Sequence, residues 1–198
     1  MMRGRVRRWL VIGALGVTTL IATPVSAQSI GAGQLELTLA VGGGRSLPRD
    51  DPEVQPVTSY YLLPHLGYFV TDEVGPRWVR GNLEILLEPT LIYLDGVRTA
   101  TVVGAAVLPR WVFAVSPRVR PYVETGGGVV GGEVDLRQTN CDFNFLFEAG
   151  AGAMMFLTDR VALTVGARYH HLSNGDRCAK NAGINSVIGV IGVSYFLR

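Results

Sequence analysis

The chain has 198 residues, 48% of them hydrophobic and 17% charged, with 25 glycines, 2 cysteines and a formal net charge of +2. That length holds one domain of ordinary size. The apolar content excludes a disordered chain, and the small net charge excludes a strongly basic nucleic-acid binder, so no nucleic-acid partner is expected. At the N-terminus, Arg3, Arg5, Arg7 and Arg8 precede an apolar run from Trp9 to Ala22, followed by Pro24-Val25-Ser26-Ala27. A positive segment, a short apolar run and small residues at a cleavage point read as an export signal, residues 1–27, cut after Ala27. A membrane anchor is the other reading, but the run falls short of the roughly 20 residues that a helical span needs. Residues 28–198 then form a single mature domain with 14 basic residues against 16 acidic ones. Export also places Cys141 and Cys178 in an oxidising compartment, where they are free to pair.

Beyond Ala27 no apolar run reaches the length of a transmembrane helix, and helical periodicity is poor. Alternation dominates instead. It predicts eight strands at about 34–42, 58–70, 78–93, 99–114, 119–131, 143–157, 160–173 and 183–197. In the third, Val79, Gly81, Leu83, Ile85, Leu87, Pro89 and Leu91 share one face, and Arg80, Asn82, Glu84, Leu86, Glu88 and Thr90 the other. Tight turns at 70–75, 115–118 and 157–160 alternate with longer polar connections at 43–57, 132–142 and 174–182, the connection near Asp95-Gly96 being short. Short turns at one end and long loops at the other are the pattern of an eight-stranded antiparallel transmembrane β-barrel of the outer-membrane type. This places the protein in the bacterial outer membrane, with both chain ends on the periplasmic side.

A soluble lipocalin-like barrel would reverse the faces, with the apolar side inward. The polar face argues against it, because its few charges are separated by Gly and Ala and would make a poor water-facing surface. Inside a narrow barrel those charges must pair. Glu84, Glu88, Glu124 and Glu148 are therefore expected to face Arg80, Arg110 and Arg168. Pro64, Pro89 and Pro109 each remove a ladder donor and are expected at bulges or at the rim. Cys141 precedes the sixth strand and Cys178 follows the seventh. Those strands form a hairpin, so a Cys141–Cys178 disulfide is expected between two outer loops.

The residues with chemical potential end the seventh strand, at Tyr169-His170-His171-Leu172-Ser173-Asn174-Gly175. Val161, Leu163, Val165, Ala167 and Tyr169 share a face with His171 and Ser173, which puts an imidazole and a hydroxyl two residues apart at the outer edge of the lipid-facing wall. An imidazole beside a hydroxyl is the pair a base-activated nucleophile needs. The plainer reading is two rim residues bonded to water. His170 has inward parity, as does His65. The three histidines and two cysteines lack the spacing of a metal site, and no metal or cofactor is expected.

His171-Leu172-Ser173-Asn174, followed by Asn181-Ala182-Gly183-Ile184-Asn185, resembles the C-terminal motif of the lipid A 3-O-deacylase family, also described as acyloxyacyl hydrolase-like. Members are eight-stranded outer-membrane barrels that remove an ester-linked acyl chain from lipid A. The resemblance implies Ser173 as nucleophile and His171 as general base, with Asn174, Gly175 and Asn181 shaping the loop and the oxyanion site. It also implies lipid A, or a similar acylated glycolipid, as the partner met within the membrane; a homodimer is left open. In the family a Glu stands where this chain has Asn185. An amide can hold an imidazole N–H but cannot balance an imidazolium by charge. Asp176, Glu133, Asp135 and Asp142 are the loop acids available to help. The rival readings are a structural or lipid-binding outer-membrane barrel that has lost the triad acid and a soluble lipid carrier.

Overall fold

The computed structural model describes residues 30–50 and 54–197. The proposed export signal lies outside them. Eight strands run β1 (Leu35–Ser46), β2 (Thr58–Phe69), β3 (Gly81–Asp95), β4 (Thr99–Phe113), β5 (Val119–Gly131), β6 (Phe143–Phe156), β7 (Val161–Ser173) and β8 (Ile184–Leu197). Each pairs antiparallel with the next, and β1 pairs with β8 from Leu35↔Leu197 to Ser46↔Ser186, closing the barrel. Strands of 12 to 15 residues exceed the roughly 9–11 that cross the hydrocarbon when tilted.

Alternation holds around the barrel. Leu37, Leu39, Val41, Tyr60, Leu62, Leu87, Val107, Phe147, Ile191 and Val193 are exposed on the outer wall, and their sequence neighbours are buried. An apolar exterior around a polar interior is the membrane arrangement, opposite to that of a soluble carrier.

The interior is filled in three layers. Toward the long loops, Tyr61, Leu63, Ile92, Leu94, Leu136, Leu146, Leu172, Ile184 and Ile188 form an apolar plug. At the other end Phe69, Val112, Tyr122, Met154, Phe156 and Phe196 do the same. Between them lies a charged layer. Glu124 bridges two buried guanidiniums, accepting from Arg110 Nε at 2.9 Å and from Arg168 Nε at 2.6 Å. Arg168 Nη1 also donates to Glu88 at 2.7 Å and Glu148 at 2.9 Å. Arg110 reaches Glu84 at 3.4 Å and stacks over the Tyr122 ring at 4.4 Å. Gly67 is required beside this layer, because a Cβ there would collide with the Glu84 carboxylate.

Four details depart from the sequence reading. β1 continues through Gly43 and Gly44 to Ser46, four residues beyond its expected end, because glycines carry no side chain to mark a face. β3 starts at Gly81, so the connection from β2 spans 70–80 and is closed by a Val74↔Gly81 bridge. Arg80 therefore lies outside the barrel. Its side chain is 56% exposed and pairs with Glu73 at 3.2 Å. Its place inside is taken by residues the pairing scheme omitted: Glu36, 3.7 Å from Arg110, and His65, whose Nε2 lies 2.6 Å from Glu88. The prolines make neither bulges nor rims. Pro64 and Pro89 lie mid-strand, and the β2–β3 register is the same on both sides of the gap they leave, from Leu62↔Leu91 to Leu66↔Leu87.

Candidate active site

The site is assembled by register. On the outer wall His171 of β7 lies between Phe147 of β6 and Asn185 of β8, and Ser173 lies beside Phe145. Outward parity at 171, 173 and 185 follows from the burial of Leu172, Ile184 and Ser186. All three outward residues are half-buried. His171 Nδ1 meets Asn185 Oδ1 at 2.5 Å. The same oxygen accepts the Tyr169 hydroxyl at 2.9 Å. When the Nδ1 hydrogen is donated to this oxygen, the other ring nitrogen, Nε2, is left as the base.

Gly183 is the backbone against which this pair rests. Its φ is +70°, and a Cβ there would lie 3.1 Å from His171 Cε1 and 3.6 Å from Ser173 Cβ. A side chain would strain the backbone and wedge into the space the imidazole and the serine share. The sequence reading quoted Gly183 in its motif without assigning it a role; its place just before an outward Asn was the available signal.

The loop beyond Ser173 is tightly held. Asn174 to Arg177 turns back on itself, with Gly175 and Asp176 both at φ 60° and Arg177 N–H donating to Asn174 C=O at 3.4 Å. The Asn174 side chain is buried, and its Nδ2 donates to Thr139 at 3.1 Å and to Lys180 C=O at 2.6 Å. Asn174 N–H donates to Asn181 Oδ1 at 2.8 Å, and Asn181 Nδ2 donates to Asp176 at 2.9 Å. Asn174 and Asn181 thus frame the turn. Cys141 and Cys178 form the expected disulfide, with Cα atoms 5.7 Å apart. A Thr139↔Asn181 bridge and a Lys180 N–H bond to Asn140 at 3.0 Å knit the same two loops. On the other flank, Leu47 N–H donates to Asn185 C=O at 2.6 Å, and Arg49 donates to Ala182 C=O.

Two of the loop acids are engaged by other partners. Asp176 is engaged by Asn181, and Asp135 pairs with Arg98. The group on His171 Nδ1 is the neutral amide of Asn185. Among the described residues no group of His, Cys, Asp or Glu has the arrangement of a metal site.

Comparison with solved structures places the chain among outer-membrane barrels. It is similar to the outer-membrane enzyme PagL at 21% identity and a TM-score of 0.58, covering 79% of this chain and 97% of that one. It is also similar to Neisserial surface protein A, at 13% identity and a TM-score of 0.53, over 85% and 98% of the two chains. These likenesses share the barrel. No curated protein matches by sequence. The family model for lipid A 3-O-deacylase (PagL) matches residues 57–194, which spans β2 to β8 and includes His171, Ser173 and Asn185. The chain therefore belongs to the lipid A 3-O-deacylase (PagL) family.

Proposed function

We propose that this protein is an outer-membrane serine esterase that removes an ester-linked acyl chain from lipid A or a similar acylated glycolipid. The observation that carries this reading is the His171 Nδ1–Asn185 Oδ1 contact of 2.5 Å on the lipid-facing wall, two residues from Ser173 in the motif. Substrate diffuses laterally in the outer leaflet and meets the wall directly, so no water-filled pocket is needed.

In the first step Ser173 Oγ attacks the ester carbonyl while His171 Nε2 takes its proton. The tetrahedral oxyanion is met by the Gly175 backbone N–H and the second amide hydrogen of Asn181. Collapse breaks the bond to the sugar oxygen, which leaves with the proton from His171. Water, deprotonated by the same imidazole, then releases the fatty acid and restores Ser173. Asn185 orients the imidazole through this cycle but leaves the imidazolium without a counter-charge. In a serine protease the corresponding acid-to-amide change costs about 10⁴ in turnover, so a slow enzyme is expected. The same feature favours the second reading, a barrel that binds lipid A without cleaving it.

Mass spectrometry of lipid A incubated with the refolded barrel in detergent micelles separates the two. Loss of one acyl mass, abolished by Ser173→Ala, supports the esterase. An unchanged lipid A profile with the folded parent overturns it.

A further inference from the structure

The catalytic imidazole of this chain leans on an amide, and an amide has two different ends. With Oδ1 toward His171 the ring keeps its proton on Nδ1, and Nε2 is a base. With Nδ2 toward His171 the amide donates to Nδ1, the ring proton moves to Nε2, and the base is gone. A carboxylate does not face this choice, because its two oxygens are alike. Something must hold the Asn185 amide the right way round.

We infer that Tyr169 is the positioning residue that does so. Its hydroxyl donates to Asn185 Oδ1 at 2.9 Å, reaching diagonally across the β7–β8 ladder from its own partner Val187. Oδ1 then has two lone pairs and two donors, the Tyr169 O–H and the His171 Nδ1–H. In the turned amide Nδ2 would face both groups, and the phenol hydrogen would lose its acceptor at the apolar wall. The arrangement with Oδ1 toward His171 gives both the phenol and the Nδ1 hydrogen an acceptor and selects the reactive tautomer.

The plainer role for an outward tyrosine is membership of the interfacial aromatic belt. Tyr60, Tyr68, Tyr93 and Tyr195 fit that role, being exposed on the outer wall. Tyr169 is set apart from them by being half-buried and by its hydroxyl bond to the amide that holds the catalytic ring.

The inference rests on the esterase reading, and its test separates the two. Four folded barrels are compared in micelles: the parent, Tyr169→Phe, the isosteric Asn185→Asp, and the double variant. In the parent background Tyr169→Phe is expected to lower kcat roughly ten-fold with little change in KM, as loss of base orientation does. In the Asn185→Asp background the loss from the same change should shrink below about two-fold, because a carboxylate needs no orienting partner. An equal loss in both backgrounds, a loss confined to KM, or no loss in the parent overturns the role. A second readout does not depend on turnover. The imidazole ¹⁵N shifts of His171, assigned by difference from His171→Gln, should report Nδ1–H in the parent and a shift toward Nε2–H in Tyr169→Phe. Unchanged shifts overturn the inference even if lipid A is cleaved. The expected shift in a barrel that cleaves nothing upholds Tyr169 as the orienting group while removing the esterase reading.

Discussion

The charged layer inside the barrel and the candidate site on its wall solve opposite problems with overlapping residue types. Inside, each guanidinium is shared among several carboxylates; Arg168 alone holds Glu88, Glu124 and Glu148. Outside, three residues along β7 from buried Arg168, His171 has a neutral amide for a partner. Desolvating a charge is costly unless partners surround it. The interior meets that cost with a dense network on converging strands. A flat wall facing lipid has neighbours on one side only, and there the partner of the imidazole is an uncharged amide. The buried charges are thus concentrated in one layer, and the proposed chemistry sits on the wall outside it.

The sharpest way to break this division is Ser173→Ala or His171→Ala. Each should lower deacylation at least about 10³-fold while leaving the barrel folded, since removing either member disables the pair. Initial rates and heat-modifiable gel migration check the two halves; a variant that loses its fold would show the wall to be structural after all. The converse is Arg168→Met, which leaves three buried carboxylates without their shared cation. It should cost roughly 3–5 kcal/mol in urea unfolding from detergent, the range for breaking a buried ion pair by removing one partner. Next comes the Cys141→Ser, Cys178→Ser pair. Closing a loop with a sequence separation of 37 contributes roughly 3–4 kcal/mol in the chain-entropy model. Because that bridge holds the turn beside Ser173, the rate should fall as well as the unfolding midpoint. The smallest effect sharpens the contrast. Asn185→Glu, which puts a carboxylate beside the ring, should raise the rate roughly ten-fold by giving the imidazolium its counter-charge, and Asn185→Ala should lower it a few-fold. If Asn185→Glu leaves the rate unchanged, the neutrality of the site is not what limits it.

Much of this was legible in the sequence because alternation in a charge-poor chain has few competing explanations. Glu84, Glu88, Glu124, Glu148, Arg110 and Arg168 all point inward, as parity required. Legibility failed where parity had nothing to mark it or ran past a strand end. Gly43 and Gly44 hid the last turn of β1, and Arg80 continued the pattern of β3 beyond its first rung. Glu36 was passed over because one charge in a strand makes no pattern. At the site, His171, Ser173 and Asn185 share a wall because each has outward parity and because β7 and β8 meet at His171↔Asn185. The hydroxyl of Tyr169 was beyond reach, since a diagonal contact depends on register between strands and not on spacing within one.

The facing prolines of β2 and β3 carry a consequence for how the cylinder yields. At the Pro64–Pro89 rung neither residue has an amide hydrogen, so both cross-strand bonds that rung would make are missing, whereas the β1–β8 junction is paired along its whole length. That interior seam is therefore weaker than the join of the two chain ends. It lies between β2 and β3, separated by β1 from the candidate site on β7 and β8. Thermal breathing, read as mid-strand amide exchange with deuterium, should be faster there than at the β1–β8 join. A barrel that flexes at that seam can follow undulations of the bilayer while the working wall stays still.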